Sequence, residues 1–212
     1  EILKLCGQYG VRVSSLCAHT FIDGSLLEIG AQGQRSQDHL WRVLDWAWAA
    51  DIEFVILPVM EKMSLATHCA YEIFLSIFQN KLEGNGPILL LESDLPANKL
   101  KTLIGDMDAT RLGIVYDLGN ATAMGFDINY DLNLLHKSIY EIHIKDRLYS
   151  DGVSVRLGEG DTPFSSASQS LAKLNWSGQV VLETPIFHDW RGEAQHNVQF
   201  AKKWLKGMWR GV

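Results

Sequence analysis

The sequence predicts an α/β fold of parallel strands joined by helical crossovers. Three observations lead there. Six short apolar runs rich in β-branched residues recur, at 11–18, 53–58, 87–93, 112–119, 140–146 and 179–184. Helical patterns lie between them, and strand–helix alternation argues for parallel strands. The runs begin at residues 11, 53, 87, 112, 140 and 179, close to the roughly 30 residues that one βα unit of an eight-unit barrel occupies. A doubly wound open sheet is the competing architecture. No GxGxxG turn follows any run, which weakens its dinucleotide-binding form.

Each element has a local reason. "EILKLCGQYG" at the start reads as the end of an amphipathic helix. After the first run, "SQDHLWRVLDWAWAAD" (36–51) carries Leu40, Val43, Leu44 and Ala47 at helical spacing. After the second, "SLATHCAYEIFLSIFQNKLEG" (64–84) spaces Leu65, Cys69, Ile73 and Ile77 similarly. Asp127, and Asp161 followed by Thr162 and Pro163, read as helix starts, with a capping side chain or an early proline. In the fifth run Tyr140, Ile142 and Ile144 would share one face, leaving Glu141, His143 and Lys145 on the other.

The chain has 212 residues and mass 23.8 kDa, which suits one domain over 1–212. Acids outnumber bases 25 to 19 with no basic tract, so nucleic acid and anionic membrane are not expected partners. No apolar run reaches the roughly 18 residues of a membrane span. Cys6, Cys17 and Cys69 read as free thiols of a reducing compartment, hence a cytoplasmic expectation. No signal peptide is read at the start. Trp41, Trp46 and Trp48 occupy one helical segment and cannot all share its buried face. That makes a homo-oligomeric contact a candidate.

Chemistry concentrates where the runs end, which is where α/β folds carry their sites. Glu92, Asp117, His143 and Glu183 fall near the ends of four consecutive runs. Taken singly, an acid after a strand is most often a helix cap, and a strand histidine a structural hydrogen-bonding group. Taken together, three carboxylates brought close without a cation would force one to stay protonated. One divalent cation removes that cost. Three carboxylates and an imidazole suit Mn²⁺, with Mg²⁺, Co²⁺ or Zn²⁺ as alternatives.

The strings "LLLESD", "VYDLGNATAMGFD", "IHIKDR", "VRLGEGDTPF" and "VVLET", in this order, resemble the sugar isomerase/epimerase superfamily of xylose-isomerase-like TIM barrels. The nearest branch is that of hexulose-6-phosphate isomerase and L-xylulose-5-phosphate 3-epimerase-like proteins. The resemblance runs from about residue 11 to residue 205. It implies a (β/α)8 TIM barrel, with the first one or two βα units expected upstream of Glu1, since only six of eight strands are visible. It implies one metal held by Glu92, Asp117, His143 and Glu183, with Glu92 and Glu183 as acid and base. A C–H proton would leave to give an enediolate and return on the far face (epimerisation) or to the neighbouring carbon (isomerisation).

The substrate expected from this resemblance is a small ketose or ketose phosphate. His19, Asn120, Lys145 and Arg147 are the candidate substrate contacts. Thr20 and Phe21 follow His19 where the phosphosugar relatives carry arginines, so a bidentate phosphate partner is missing there. For Lys145 and Arg147 the structural alternative is a salt bridge with Asp146 or Glu159. Glu141 is expected to pair with a buried base. Gly158-Glu159-Gly160 offers backbone N–H groups to an anion, or is a plain tight turn. His188, Trp190 and Arg191 could form a lid or a dimer surface. Rival functions are a dehydratase of an inosose-like keto-polyol, a non-catalytic sugar-binding barrel, and an endonuclease-IV-like phosphodiesterase. The last needs a zinc cluster and many histidines that the sequence does not provide.

Overall fold

The computed structural model describes residues 1–186 and 189–209. It divides into two compact units, 1–95 with 102–114, and 96–101 with 115–212.

In the first unit α1 (Ile2–Gln8) precedes β1 (Ser15–Cys17), α2 (Ala31–Ala49), β2 (Phe54–Val59), α3 (His68–Phe78) and β3 (Ile88–Ser93). The chain then enters α4 (Ala97–Met107) and β4 (Leu112–Asp117), two elements that straddle the division. The strands are parallel and pair in chain order, β1 with β2, β2 with β3, β3 with β4. A doubly wound sheet reverses its order after the first strands; this one does not, and the barrel expectation stands. All six residues of β2 are buried, as in strands covered on both faces. Helix α2 buries Leu40, Leu44 and Ala47 as expected, and leaves Trp46 and Trp48 exposed.

Helix α3 departs from its predicted face. Phe74, Ile77 and Phe78 are buried, Ile73 is half-buried, and Cys69 is exposed. Burying two phenyl rings removes more apolar area than burying a thiol. Phe74 and Phe78 meet with ring centroids 4.6 Å apart, one helical turn from each other. The helix begins where Thr67 accepts the Ala70 N–H.

The second unit holds the end of β4, α5 (Leu118–Ala123), α6 (Ile128–Leu135) and β5 (Ile139–Ile144). After these come β6 (Asp146–Arg147), β7 (Ser154–Val155), α7 (Phe164–Lys173), β8 (Gln179–Leu182) and α8 (Trp190–Trp209). β5 and β8 run parallel, with His143 opposite Val181 and Ile144 opposite Leu182. Asp127 caps α6 by accepting the Tyr130 N–H, as expected. Asp161 does not cap α7. Its carboxylate accepts the Tyr149 N–H instead, and the helix opens after Pro163.

The antiparallel pair β6–β7 has no periodic signature, being two residues per strand. Both faces of β5 are buried, Glu141 completely. The acid and imidazole of this strand therefore point into protein, where each needs a partner.

Candidate metal centre

Asp117 ends β4 and starts α5, and its two oxygens divide the work. Oδ1 accepts the Asn120 N–H at 2.7 Å, capping the helix. Oδ2 faces Lys145 Nζ at 3.1 Å and His143 Nδ1 at 4.0 Å. The cap expected of such an acid is made by Oδ1, and Oδ2 is left facing the lysine and the imidazole.

His143 projects from β5 between two acids. Nε2 lies 2.8 Å from Oε1 of fully buried Glu141. Nδ1 lies 2.7 Å from Oε2 of Glu183. Alternation along β5 puts Glu141 one layer below His143, so the buried base expected to pair with Glu141 is this imidazole. A carboxylate on Nε2 fixes the ring and turns Nδ1 toward Asp117 and Glu183, as supporting acids do for metal-binding histidines.

Glu183 follows β8, its N–H bonded to the Ile144 carbonyl. That extends the β5–β8 ladder by one residue and sets the carboxylate beside His143. Lys145 donates to Glu183 Oε1 at 2.6 Å. Neither salt bridge considered for Lys145 forms: Asp117 and Glu183 take it in place of Asp146 and Glu159. The lysine leaves β5 on the same face as His143, and that face carries two carboxylates.

Charges follow from these contacts. Burial pushes the Asp117 carboxyl up, with the Lys145 ammonium opposing. Burial also disfavours ionised Glu183, but hydrogen bonds from His143 and Lys145 outweigh it and bring the carboxyl down to about 2. Burial pulls the Lys145 ammonium down, and Asp117 and Glu183 more than restore it. The second unit thus gathers three acids, Asp117, Glu141 and Glu183, with an imidazole and an ammonium.

Glu92 is the penultimate residue of β3 in the first unit, opposite Pro58 of β2, and is buried. His19 opens a 3-10 turn, His19–Asp23, after β1 and is exposed. Asn120 and Arg147 meet each other: Arg147 Nη1 donates to Asn120 Oδ1 at 2.7 Å, and its Nε donates to the Gly152 carbonyl. Arg147 therefore forms neither of the salt bridges considered for it. Trp190 and Arg191 stack on one another at 4.3 Å; His188 lies outside the described residues.

Two glycines of the strings quoted above have steric reasons. A Cβ on Gly119 would meet Lys145 Cγ and its carbonyl at 2.8 Å. A Cβ on Gly160 would collide with the Asp146 carboxylate. The turn Gly158-Glu159-Gly160 does hold an anion, but the chain's own: the N–H groups of Gly158 and Gly160 donate to Asp146 Oδ2. Asp146 was not singled out for a site role by its sequence context, although the glycine pair already marked the donors.

Comparisons with known proteins agree with the fold. A family model described as xylose isomerase-like TIM barrel matches residues 1–206. Among solved structures, L-ribulose 3-epimerase superposes with TM-score 0.79 at 16% identity, covering 99% of this chain and 80% of that one. The IOLI protein, solved with a bound zinc atom, superposes with TM-score 0.73 at 13% identity, covering 98% and 93%. At such identities these likenesses establish the fold alone. An uncharacterized protein of Methanocaldococcus jannaschii is 25% identical over 92 residues, which is 42% of this chain and 31% of that protein. The match thus spans about a third of that relative's length.

Proposed function

The chain belongs to the xylose isomerase-like TIM barrel family, and on that premise we propose that it is a divalent-metal-dependent isomerase or 3-epimerase of a small ketose or ketose phosphate. One observation carries the reading. In the second unit His143 Nδ1 lies 2.7 Å from Glu183 Oε2 and 4.0 Å from Asp117 Oδ2, so three of the four expected ligands meet there. The donor set is mostly hard oxygen with one imidazole, which fits Mn²⁺ best and admits Mg²⁺, Co²⁺ or Zn²⁺.

Asp117 Oδ2, His143 Nδ1 and the carboxylates of Glu92 and Glu183 would hold the cation. Bound there, it would polarise the substrate carbonyl and acidify the neighbouring C–H. Glu92 and Glu183 act as the acid/base pair. One takes the proton and the other returns it, to the opposite face in epimerisation. For isomerisation the acceptor returns it to the adjacent carbon. Glu183, held ionised by Lys145, enters the cycle ready to accept a proton. Lys145, Arg147, Asn120 and His19 would contact the substrate hydroxyls.

The test combines metal analysis with a substrate screen. The purified protein is expected to carry or take up one divalent ion per chain. Ketopentoses and ketohexoses, with and without a phosphate, are then incubated in D₂O. Deuterium should enter one of them with no loss of water from the molecule. Water loss would instead mark a dehydratase. No metal uptake, together with no exchange in any sugar, refutes the reading.

A further inference from the structure

Asp146 is 1% exposed and carries a carboxylate in the middle of a protein wall. Its Oδ2 accepts the N–H groups of Gly158 at 2.8 Å and Gly160 at 3.0 Å, and its Oδ1 accepts the Thr162 N–H at 3.2 Å. Three backbone donors on one carboxylate make a charge-assisted anchor, stronger than neutral hydrogen bonds. Gly158 sits at φ +90°, a conformation side chains rarely adopt. Gly160 must lack a Cβ for the carboxylate to fit. The segment from 147 to 162 is thereby folded back onto the end of β5.

The residues on either side of Asp146 are the two cationic candidates for substrate contact. Thr162 Oγ1 donates to the Lys145 carbonyl at 3.3 Å and lies 3.4 Å from the Arg147 N–H that donates to it. The Asp161 N–H bonds the Arg147 carbonyl. Gly152, inside the folded segment, receives Arg147 Nε at 2.6 Å. The anchor therefore ties down the backbone on both flanks and supplies the carbonyl that orients the guanidinium. Beyond it, Lys145 reaches Asp117 and Glu183, and Arg147 reaches Asn120.

We propose that Asp146 is a positioning residue: by gathering the amides of Gly158, Gly160 and Thr162 it fixes where Lys145 and Arg147 present their charges. For its effect on substrate this rests on the reading of the site as a ketose isomerase or epimerase. The geometric part does not depend on that reading.

Two measurements separate the parts. With uniformly ¹⁵N-lysine-labelled, metal-free protein, a ¹H–¹⁵N correlation tuned to ammonium groups should show a Lys145 signal, protected by Asp117 and Glu183 and assigned by its loss in Lys145→Arg. Asp146→Asn places an amide N–H₂ against backbone donors. It should abolish or shift that signal while the fold, read by circular dichroism, persists. With a ketose that the wild type turns over, Asp146→Asn should raise KM about tenfold with kcat changed far less, the mark of lost binding, not lost chemistry. If Asp146→Asn does not fold, Asp146→Glu decides. It keeps the charge but moves the carboxylate one methylene out of register with the amides of Gly158, Gly160 and Thr162, and should shift the Lys145 signal in the same direction. An unchanged Lys145 signal in the variant that folds overturns the proposal. A wild type that turns over no ketose, with the spectral arm as expected, sinks the function above and leaves the positioning role standing.

Discussion

Lys145 Nζ stands 2.6 Å from Glu183 Oε1 and 3.1 Å from Asp117 Oδ2, an ammonium shared between two of the carboxylates offered for a metal. In physical terms the protein supplies its own counter-ion there, which removes the cost of setting two acids side by side. A divalent ion entering the same acids must compete with it.

Lys145→Met is therefore expected to bind Mn²⁺ several-fold more tightly than the wild type, read by calorimetric titration. The metal-free variant should lose stability on the order of 1 kcal/mol, since Glu183 is half-exposed and solvent screens part of the imbalance. Weaker Mn²⁺ binding in the variant would mean that the lysine supports the ion and does not compete with it.

Glu92→Gln and Glu183→Gln should each lower turnover by more than about a hundredfold, the usual effect of removing a general base. Deuterium uptake from D₂O should fall in parallel. Near-normal exchange in both variants would end the acid/base assignment.

Glu141 touches no proposed substrate atom, yet it holds His143 Nε2 at 2.8 Å from a fully buried position. Glu141→Leu should cost about 10–100-fold in Mn²⁺ affinity, because the ring loses its orientation and tautomer. An affinity within twofold of the wild type would show that His143 does not depend on this acid.

Tyr116 donates its hydroxyl to buried Asp131 Oδ2 at 2.8 Å. Tyr116→Phe strands that carboxylate and should cost about 1–3 kcal/mol in urea unfolding. Burial, opposed by the Tyr116 hydrogen bond, holds the Asp131 carboxyl above its ordinary 3.8. The folded state thus keeps the proton to higher pH than the unfolded chain does. The contribution is most favourable below the unfolded value and declines as pH rises through the folded one. Relative to Asp131→Asn, the wild type should lose stability from acid to neutral pH; a difference that is flat or rises with pH contradicts this.

The strands were legible because their apolar runs are bounded by turn residues and spaced like βα units, and each predicted run overlaps an observed strand. The ligand-type residues were legible because chain order and strand ends are one-dimensional facts. Helix faces were less so: α3 turned Phe74 and Phe78 inward and left Cys69 out, a choice made by what packs against the helix. Asp161 looked like a cap by position, but the Tyr149 amide claimed it from twelve residues upstream.

By itself the sequence determined the α/β class, the strand ends at which Glu92, Asp117, His143 and Glu183 stand, and the two-face pattern of β5. Those follow from periodicity and spacing, which are local. Only the tertiary structure decided who partners whom: Lys145 with Asp117 and Glu183, Arg147 with Asn120, Asp146 with the amides of the glycine turn. Buried charges must find partners wherever the fold brings donors and acceptors within hydrogen-bond reach, and residues 40 apart in the chain, such as His143 and Glu183, become neighbours only when parallel strands set their ends side by side.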